Sequence, residues 1–82
     1  MKREEIAERL IVVTARELAQ AVDDIKESDR FAYELGADSL KSIELVAAFE
    51  EEFDLDLDED EALKVQSVGG AIDFFANLLP GY

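Results

Sequence analysis

Apolar positions set the rhythm of this chain, and the rhythm changes where the elements change. Between Glu4 and about Ala21, the residues Ile6, Leu10, Val13 and Leu18 recur at helical spacing, with Ala7 and Ala21 near the same stripe. That pattern predicts an amphipathic helix with one buried face. Glu4, Glu5 and Glu8 occupy its first turns, where the positive end of the helix dipole favours acids. Ile11 and Val12 lie partly off the stripe. From Asp23 to Ala37 the periodicity stops, and Asp23-Asp24, Ser28-Asp29 and Gly36 act as breakers. A connection of about 15 residues needs anchoring or a task. Ile25, Phe31 and Leu35 are the apolar pegs expected to pin it to the core. Gly36 is expected to take a positive φ just before the next helix.

Ser39 to Glu52 or Phe53 is the most strongly patterned stretch. Leu40, Ile43, Val46, Ala47, Glu50 and Phe53 are expected to share one broad sector, which Leu45 and Phe49 widen. Lys41, Glu44, Ala48, Glu51 and Glu52 then fall on the other side. Leu40, in the first turn of a helix that emerges from a loop, suits solvent as well as core. Asp54-Leu55-Asp56-Leu57-Asp58 alternates like a strand. No second strand exists to pair with it, so it reads as an extended linker with its leucines turned inward. Asp58 caps a short helix from Glu59 to about Lys64, and Ser67 caps a last helix that directs Val68, Ile72, Phe75 and Leu79 at the core. Gly69-Gly70 weakens the first turn of that helix, at about 1 kcal/mol per glycine relative to alanine. Pro80 ends it, because the residue before a proline avoids helical backbone angles. The predicted fold is all-α: one domain over residues 1–82, a small four-helix bundle with three main helices, a short third helix and a long first loop.

Composition narrows the chemistry. The 82 residues include no Cys and no His, which removes disulfides, thiolate nucleophiles, zinc–thiolate sites and the usual general base. A domain this small buries roughly 60% of its unfolded surface and has little room for a substrate cleft. None of the 21 acids is singled out as half of a catalytic pair, so no catalytic residue is assigned and the chain is expected to be no enzyme. Asp54, Asp56 and Asp58 match the first ligand positions of a helix–loop–helix calcium site. That site also needs a glycine and a glutamate further on, where this chain has Glu59 and Val65, so no metal site is assigned.

The net charge of −13 is unevenly spread. Residues 1–30 carry eight acids and six bases, whereas residues 31–82 carry thirteen acids and only Lys41 and Lys64 as bases. Such a field repels nucleic acid and anionic membrane and attracts basic protein surfaces. The run Leu10-Ile11-Val12-Val13 is too short for a signal segment or a membrane span. A small monomer in the cytoplasm is therefore expected.

One stretch carries a chemical opportunity: Leu35-Gly36-Ala37-Asp38-Ser39-Leu40. It ends a loop at a glycine and opens the acidic helix with a reachable hydroxyl. A helix N-terminus has unpaired N–H groups and a partial positive charge, so a phosphate attached to Ser39 is favoured there. The plainer reading is that Asp38-Ser39 caps the helix and does nothing more. The acids Asp38, Glu44, Glu51 and Glu59, grouped near that serine, suit fast and reversible docking onto basic patches of several partners in turn. Glu50, Glu51 and Glu52 also fit a simple solvated face.

The same stretch, followed by Ile43-Glu44-Leu45, Phe49-Glu50-Glu51-Glu52-Phe53 and Ala71-Ile72-Asp73-Phe74, resembles the acyl carrier proteins over nearly the whole chain. The resemblance implies that Ser39 bears a covalent 4′-phosphopantetheine arm, derived from coenzyme A and attached by a phosphopantetheinyl transferase (a holo-carrier synthase). The arm's thiol then holds acyl groups as thioesters. The resemblance further implies recognition by Asp38 and Leu40 beside the serine, by Glu44, Glu50 and Glu51 on the second helix, and by Glu59 and Glu61 on the third. The implied partners are acyl-transfer and chain-modifying enzymes with basic docking patches, from fatty-acid, polyketide or related biosynthesis. An acyl chain is expected to fold back among Ile43, Val46, Phe49, Val68 and Ile72.

The departures from the family pattern are informative. Lys41 stands where carriers of primary fatty-acid synthesis usually have another acid. A positive charge on the recognition face weakens docking to enzymes adapted to an all-acidic one, which favours a specialised carrier over a housekeeping one. Gly69-Gly70, Ile11 and Val12 depart as well. Peptidyl carriers usually show Gly-Gly-x-Ser, which Gly36-Ala37-Asp38-Ser39 does not match. A D-alanine or other aminoacyl carrier stays open, as does an acidic helical adaptor that has no cofactor and uses Ser39 only as a cap.

Overall fold

The computed structural model describes residues 1–79. Helices span Arg3–Leu18 (α1), Ser39–Phe53 (α2), Glu59–Leu63 (α3) and Val68–Leu78 (α4), with a 3-10 turn at Val22–Asp24. Among the described residues there is no strand, only one isolated bridge between Arg30 and Ser67. The all-α architecture expected from the pattern is the one observed, with its long first connection and short third helix. Pro80 lies outside the described residues; Leu79 before it has left the helix for an extended backbone, φ −98° and ψ 134°.

α1 buries Ile6, Leu10 and Val13 as its stripe requires, with Ile11 and Leu18 half-buried against the core and Val12 exposed. It stops before Ala21. Ala19 turns left-handed at φ 55°, and the N–H groups of Ala19 and Gln20 both donate to the Ala15 carbonyl, closing the helix. This is the usual way to satisfy terminal carbonyls, but glycine is its usual occupant. An alanine there carries no warning, and Ala21 consequently leaves the stripe and is exposed.

The long connection is anchored twice. Ile25, Phe31 and Leu35 are buried, as the peg reading requires, and Gly36 takes φ 74°. The backbone adds a second tie, because Gly69 N–H donates to the Glu27 carbonyl at 2.8 Å and Val68 N–H to the Asp29 carbonyl at 2.9 Å. The first amides of α4, which have no acceptor within their own helix, thus find one in the loop. A Cβ on Gly69 would stand 3.0 Å from the Glu27 carbonyl oxygen. The glycine that weakens the helix is what lets the loop approach it.

α2 is turned relative to the expected sector. Leu45, Phe49 and Phe53 are buried, and Ala48, assigned to the polar side, packs against the core. Leu40 and Ile43 instead face solvent, 65% and 44% exposed, with Ala47 beside them. Apolar residues surround most of this helix, so two sectors compete for the core. The phenyl rings decide the outcome: Phe49 and Phe53 lie against Phe75, with centroids 5.5 and 4.8 Å apart. Aromatic rings bury more area per residue than Leu40 and Ile43 can offer.

The remaining elements follow their pattern. Leu55 and Leu57 of the linker turn inward, Asp58 Oδ1 accepts from Glu61 N–H, and Ser67 Oγ accepts from Gly70 N–H at 3.0 Å. α1 packs on both α2 and α4, but no Cα of α2 comes within 8 Å of one in α4. Only side chains span that gap. Two arginines tie α1 outward. Arg9 pairs with Glu52 at 2.7 Å, donates to the Glu52 carbonyl and lies over the Phe53 ring at 4.9 Å. Arg3 reaches Glu27 at 2.9 Å and Asp73 at 3.0 Å.

Candidate functional site

α2 opens at Ser39, and the residue before it does the capping. Asp38 is extended, its Oδ1 accepts the Lys41 N–H at 2.8 Å, and its carbonyl accepts the Ser42 N–H at 2.8 Å. The cap position is therefore taken, and the exposed Ser39 sits on the first helical position. Leu40 beside it is exposed, and the space over Gly36 is open, with nothing within 4 Å of where a Cβ would be. Ser39 thus offers a free hydroxyl next to first-turn amides and the positive end of a helix dipole, which suits a phosphodiester.

The acids read as a docking face do not share one condition. Glu44 is half-exposed with its carboxylate 3.5 Å from the Lys41 ammonium, so one unit of positive charge sits inside the acidic face. Glu51 and Glu59 are exposed, and so is Glu61, which pairs with Lys64 at 3.1 Å. Glu50 is half-buried instead, and its Oε2 accepts the Leu57 N–H at 2.9 Å. Its carboxylate holds the linker in place. Asp38 is likewise engaged as the cap.

A cavity of about 280 Å³ opens beside α2, between α3, α4 and the end of the long loop. Of the five residues expected to receive an acyl chain, Val46 and Phe49 line it. Ile43 faces outward, and Val68 and Ile72 are fully buried in the core; none of these three lines the cavity. The walls come instead from Phe31, Leu45, Ala62, Ala71 and Phe75. The difference has two causes. α2 is turned as described, and α4 presents Ala71, Phe74 and Phe75 to the gap while Val68 and Ile72 sink into the core. α4 is apolar on more than one face, and a search for two stripes rather than one would have found the second.

At the rim, Arg30 stacks over Tyr33 at 4.3 Å and pairs with Glu34 at 3.2 Å. Hydrogen bonds from the Arg30 guanidinium and backbone N–H hold the Glu34 carboxyl below the usual glutamate range. Neither Arg30 nor Tyr33 was singled out from sequence, because both fall in the aperiodic loop. Among the described residues no group of three or more His, Cys, Asp or Glu converges to hold a metal, and no helix is long and apolar enough to cross a membrane.

Known proteins match this arrangement. A family model described as "Phosphopantetheine attachment site" matches residues 8–75. Among solved structures, the acyl carrier protein from Enterococcus faecalis is similar, with a TM-score of 0.76 and 26% identity over 94% of this chain and 98% of that one. It is described for novel structural components that contribute to its high thermal stability. The matched region and the fold are those of a phosphopantetheine-bearing carrier domain, and the chain belongs to the acyl carrier protein family. The cofactor is 4′-phosphopantetheine, held covalently.

Proposed function

We propose that Ser39 is the attachment residue and that the protein shuttles acyl intermediates between enzymes without catalysing a step itself. The observation that carries this is the division of labour at the start of α2. Asp38 supplies the cap, and Ser39, inside the matched region, is left with an exposed hydroxyl. In the transfer, Ser39 Oγ forms a new P–O bond to the pantetheine-bearing phosphorus of coenzyme A. The P–O bond to the adenosine 3′,5′-bisphosphate leaving group breaks, and the hydroxyl proton passes to the transferase. The arm supplies a thiol, which carries acyl groups as thioesters.

Leu40, Glu44, Glu51, Glu59 and Glu61 are the exposed groups available to the transferase and to acyl-transfer and chain-modifying enzymes. Asp38 and Glu50 contribute by shaping the backbone those enzymes meet. The Lys41–Glu44 pair partly cancels charge in the middle of this face, which supports a specialised carrier over a housekeeping one in fatty-acid or polyketide synthesis.

Intact-protein mass spectrometry after incubation with coenzyme A, Mg²⁺ and a broad-specificity phosphopantetheinyl transferase tests the assignment. One phosphopantetheine is expected on the wild type and none on Ser39→Ala, whose melting temperature should stay near the wild-type value because Asp38 still caps the helix. A full gain of mass on the alanine variant would move the attachment elsewhere.

A further inference from the structure

We infer that Tyr33 and Arg30 form a second docking anchor near Ser39, opposite in charge to the acidic face. The partner it fits is the transferase that acts on Ser39, which meets the pair with an apolar slot edged by a carboxylate. This rests on the carrier reading of Ser39 and adds a contact surface to it.

Position comes first. Arg30, Tyr33 and Ser42 line one opening, and Ser42 stands one turn beyond Ser39 on α2. Residues three apart on a helix are about 5–6 Å from each other at Cβ, so the serine stands beside the same opening. An enzyme that forms a bond at Ser39 Oγ centres its footprint there. Specific interfaces at the small end still take about 600 Å² from each partner, a patch about 14 Å in radius. A footprint of that size takes in the rim on which Tyr33 and Arg30 stand.

Shape comes second. Phe31 and Leu35 are buried, and Ala32-Tyr33-Glu34 between them form a short exposed arch. The Glu34 and Leu35 N–H groups both donate to the Arg30 carbonyl, at 3.1 and 3.2 Å, and the Phe31 N–H donates to the Gln66 carbonyl at 2.9 Å. Tyr33 is 73% exposed, the most of any large apolar residue among those described. Its ring is nevertheless held. The Arg30 guanidinium lies over it at 4.3 Å, and Glu34 accepts from Arg30 Nε and Nη2 at 3.2 Å each. Side chains ordered in advance lose little entropy on docking, and Tyr and Arg are prominent among the residues that dominate interface energies.

Charge comes third. Glu34 occupies one edge of the guanidinium. Arg30 Nη1 donates to no acceptor among the described residues, so the edge formed by Nη1 and the second Nη2 hydrogen is open to another carboxylate. A lysine or arginine brought to that edge meets like charge. Glu51, Glu59 and Glu61 thus call for bases on the partner and Arg30 for an acid. Two sites of opposite sign fix the orientation in which the transferase lands.

The test measures transfer from coenzyme A by the broad-specificity transferase at varied concentrations of the full chain, with a melting temperature for each variant. Tyr33→Ala should raise KM for the carrier about tenfold, with kcat within about twofold of wild type. Tyr33→Phe, which keeps the ring, should retain the wild-type KM. Arg30→Gln decides the sign. It makes the carrier more negative, so a uniformly basic partner binds it more tightly and KM falls, whereas loss of a carboxylate contact raises KM. A rise of about threefold is expected. Val12→Ala, which trims an exposed valine of α1, should leave KM unchanged. An unchanged KM for Tyr33→Ala, a lower or unchanged one for Arg30→Gln, or a matching rise for Tyr33→Phe or Val12→Ala overturns the anchor while leaving the carrier intact. No mass gain on the wild type, or a full gain on Ser39→Ala, overturns the carrier reading and the anchor with it.

Discussion

The two sides of α4 are built differently. On one side Val68 and Ile72 belong with Ile6, Leu10 and Val13 of α1 to the most deeply buried set in the protein, at most 1% exposed. On the other, α4 faces α2 across a gap that backbone does not close and that phenyl rings only partly fill. Close packing stabilises by dispersion and by removing apolar area from water, and a void forfeits part of both. A domain of this size buries a smaller share of its unfolded surface than a larger one does. Keeping a void on one side therefore places the burden of stability on the other. The difference assigns the α1 side to holding the fold and leaves the open volume on the α2 side.

The largest effect expected from this comparison is Leu10→Ala. Truncating a fully buried leucine typically costs about 2–5 kcal/mol, which for a domain this size lowers the melting temperature by about 10 °C or more. Val46→Ala, at the half-buried cavity wall, should cost about 1 kcal/mol or less. Equal losses in the unloaded protein would break the comparison. Arg9→Ala comes next, because Arg9 carries α1's hold on the C-terminal end of α2 through a carboxylate, a carbonyl and a ring. The pair is partly exposed, so about 1–2 kcal/mol is expected in a denaturant titration.

How much of this could be read from the residues depended on how many faces each helix left open. α1 carries a single stripe, and its core face was legible from Ile6, Leu10 and Val13. The loop pegs Ile25, Phe31 and Leu35 were legible because each is an isolated apolar residue in polar surroundings. α2 was not, since Leu40, Ile43 and Ala47 compete with Leu45, Ala48 and Phe49, and only Phe75, distant in sequence, settles which set goes inside. The cavity follows from that packing: Val46 and Phe49 line it, and Ile43, Val68 and Ile72 do not. The place of Ser39 at the opening of α2 was legible for a local reason, being fixed by its immediate neighbours Gly36, Asp38 and the start of the helix.

Smaller effects sharpen the picture at its edges. Ala19→Gly should stabilise by about 1 kcal/mol, because the left-handed backbone at φ 55° strains an alanine and not a glycine. A rise of a few degrees in melting temperature checks it, and a fall would mean the end of α1 is held by something other than its cap. The smallest effect lies on the open side, at Glu34. Its carboxyl is held below the ordinary range by Arg30 in the folded state, so the pair's contribution is present at neutral pH and is lost as pH falls through the depressed value. Comparing Glu34→Gln with wild type should show a slight loss of melting temperature at pH 7 that closes on acidification. A gap that widens instead would reverse the sign of this interaction.

The Arg3 junction has a consequence for the chain's connectivity. Arg3 bonds Asp73 across 70 residues of sequence, and the same guanidinium takes Glu27 on the way. The first turn of α1 and the middle of α4 are therefore held within one side chain's reach, and the path between them encloses nearly the whole domain. The entropy lost in closing a loop grows with the logarithm of its length, so few pairs of positions in this chain would remove more disorder from the unfolded ensemble if joined. As an exposed ion pair the contact is weakened by water and salt. Replaced by a covalent tether of the same length, it would turn a screened contact into a permanent ring closure, acting on the unfolded state and leaving Ser39 and the cavity untouched.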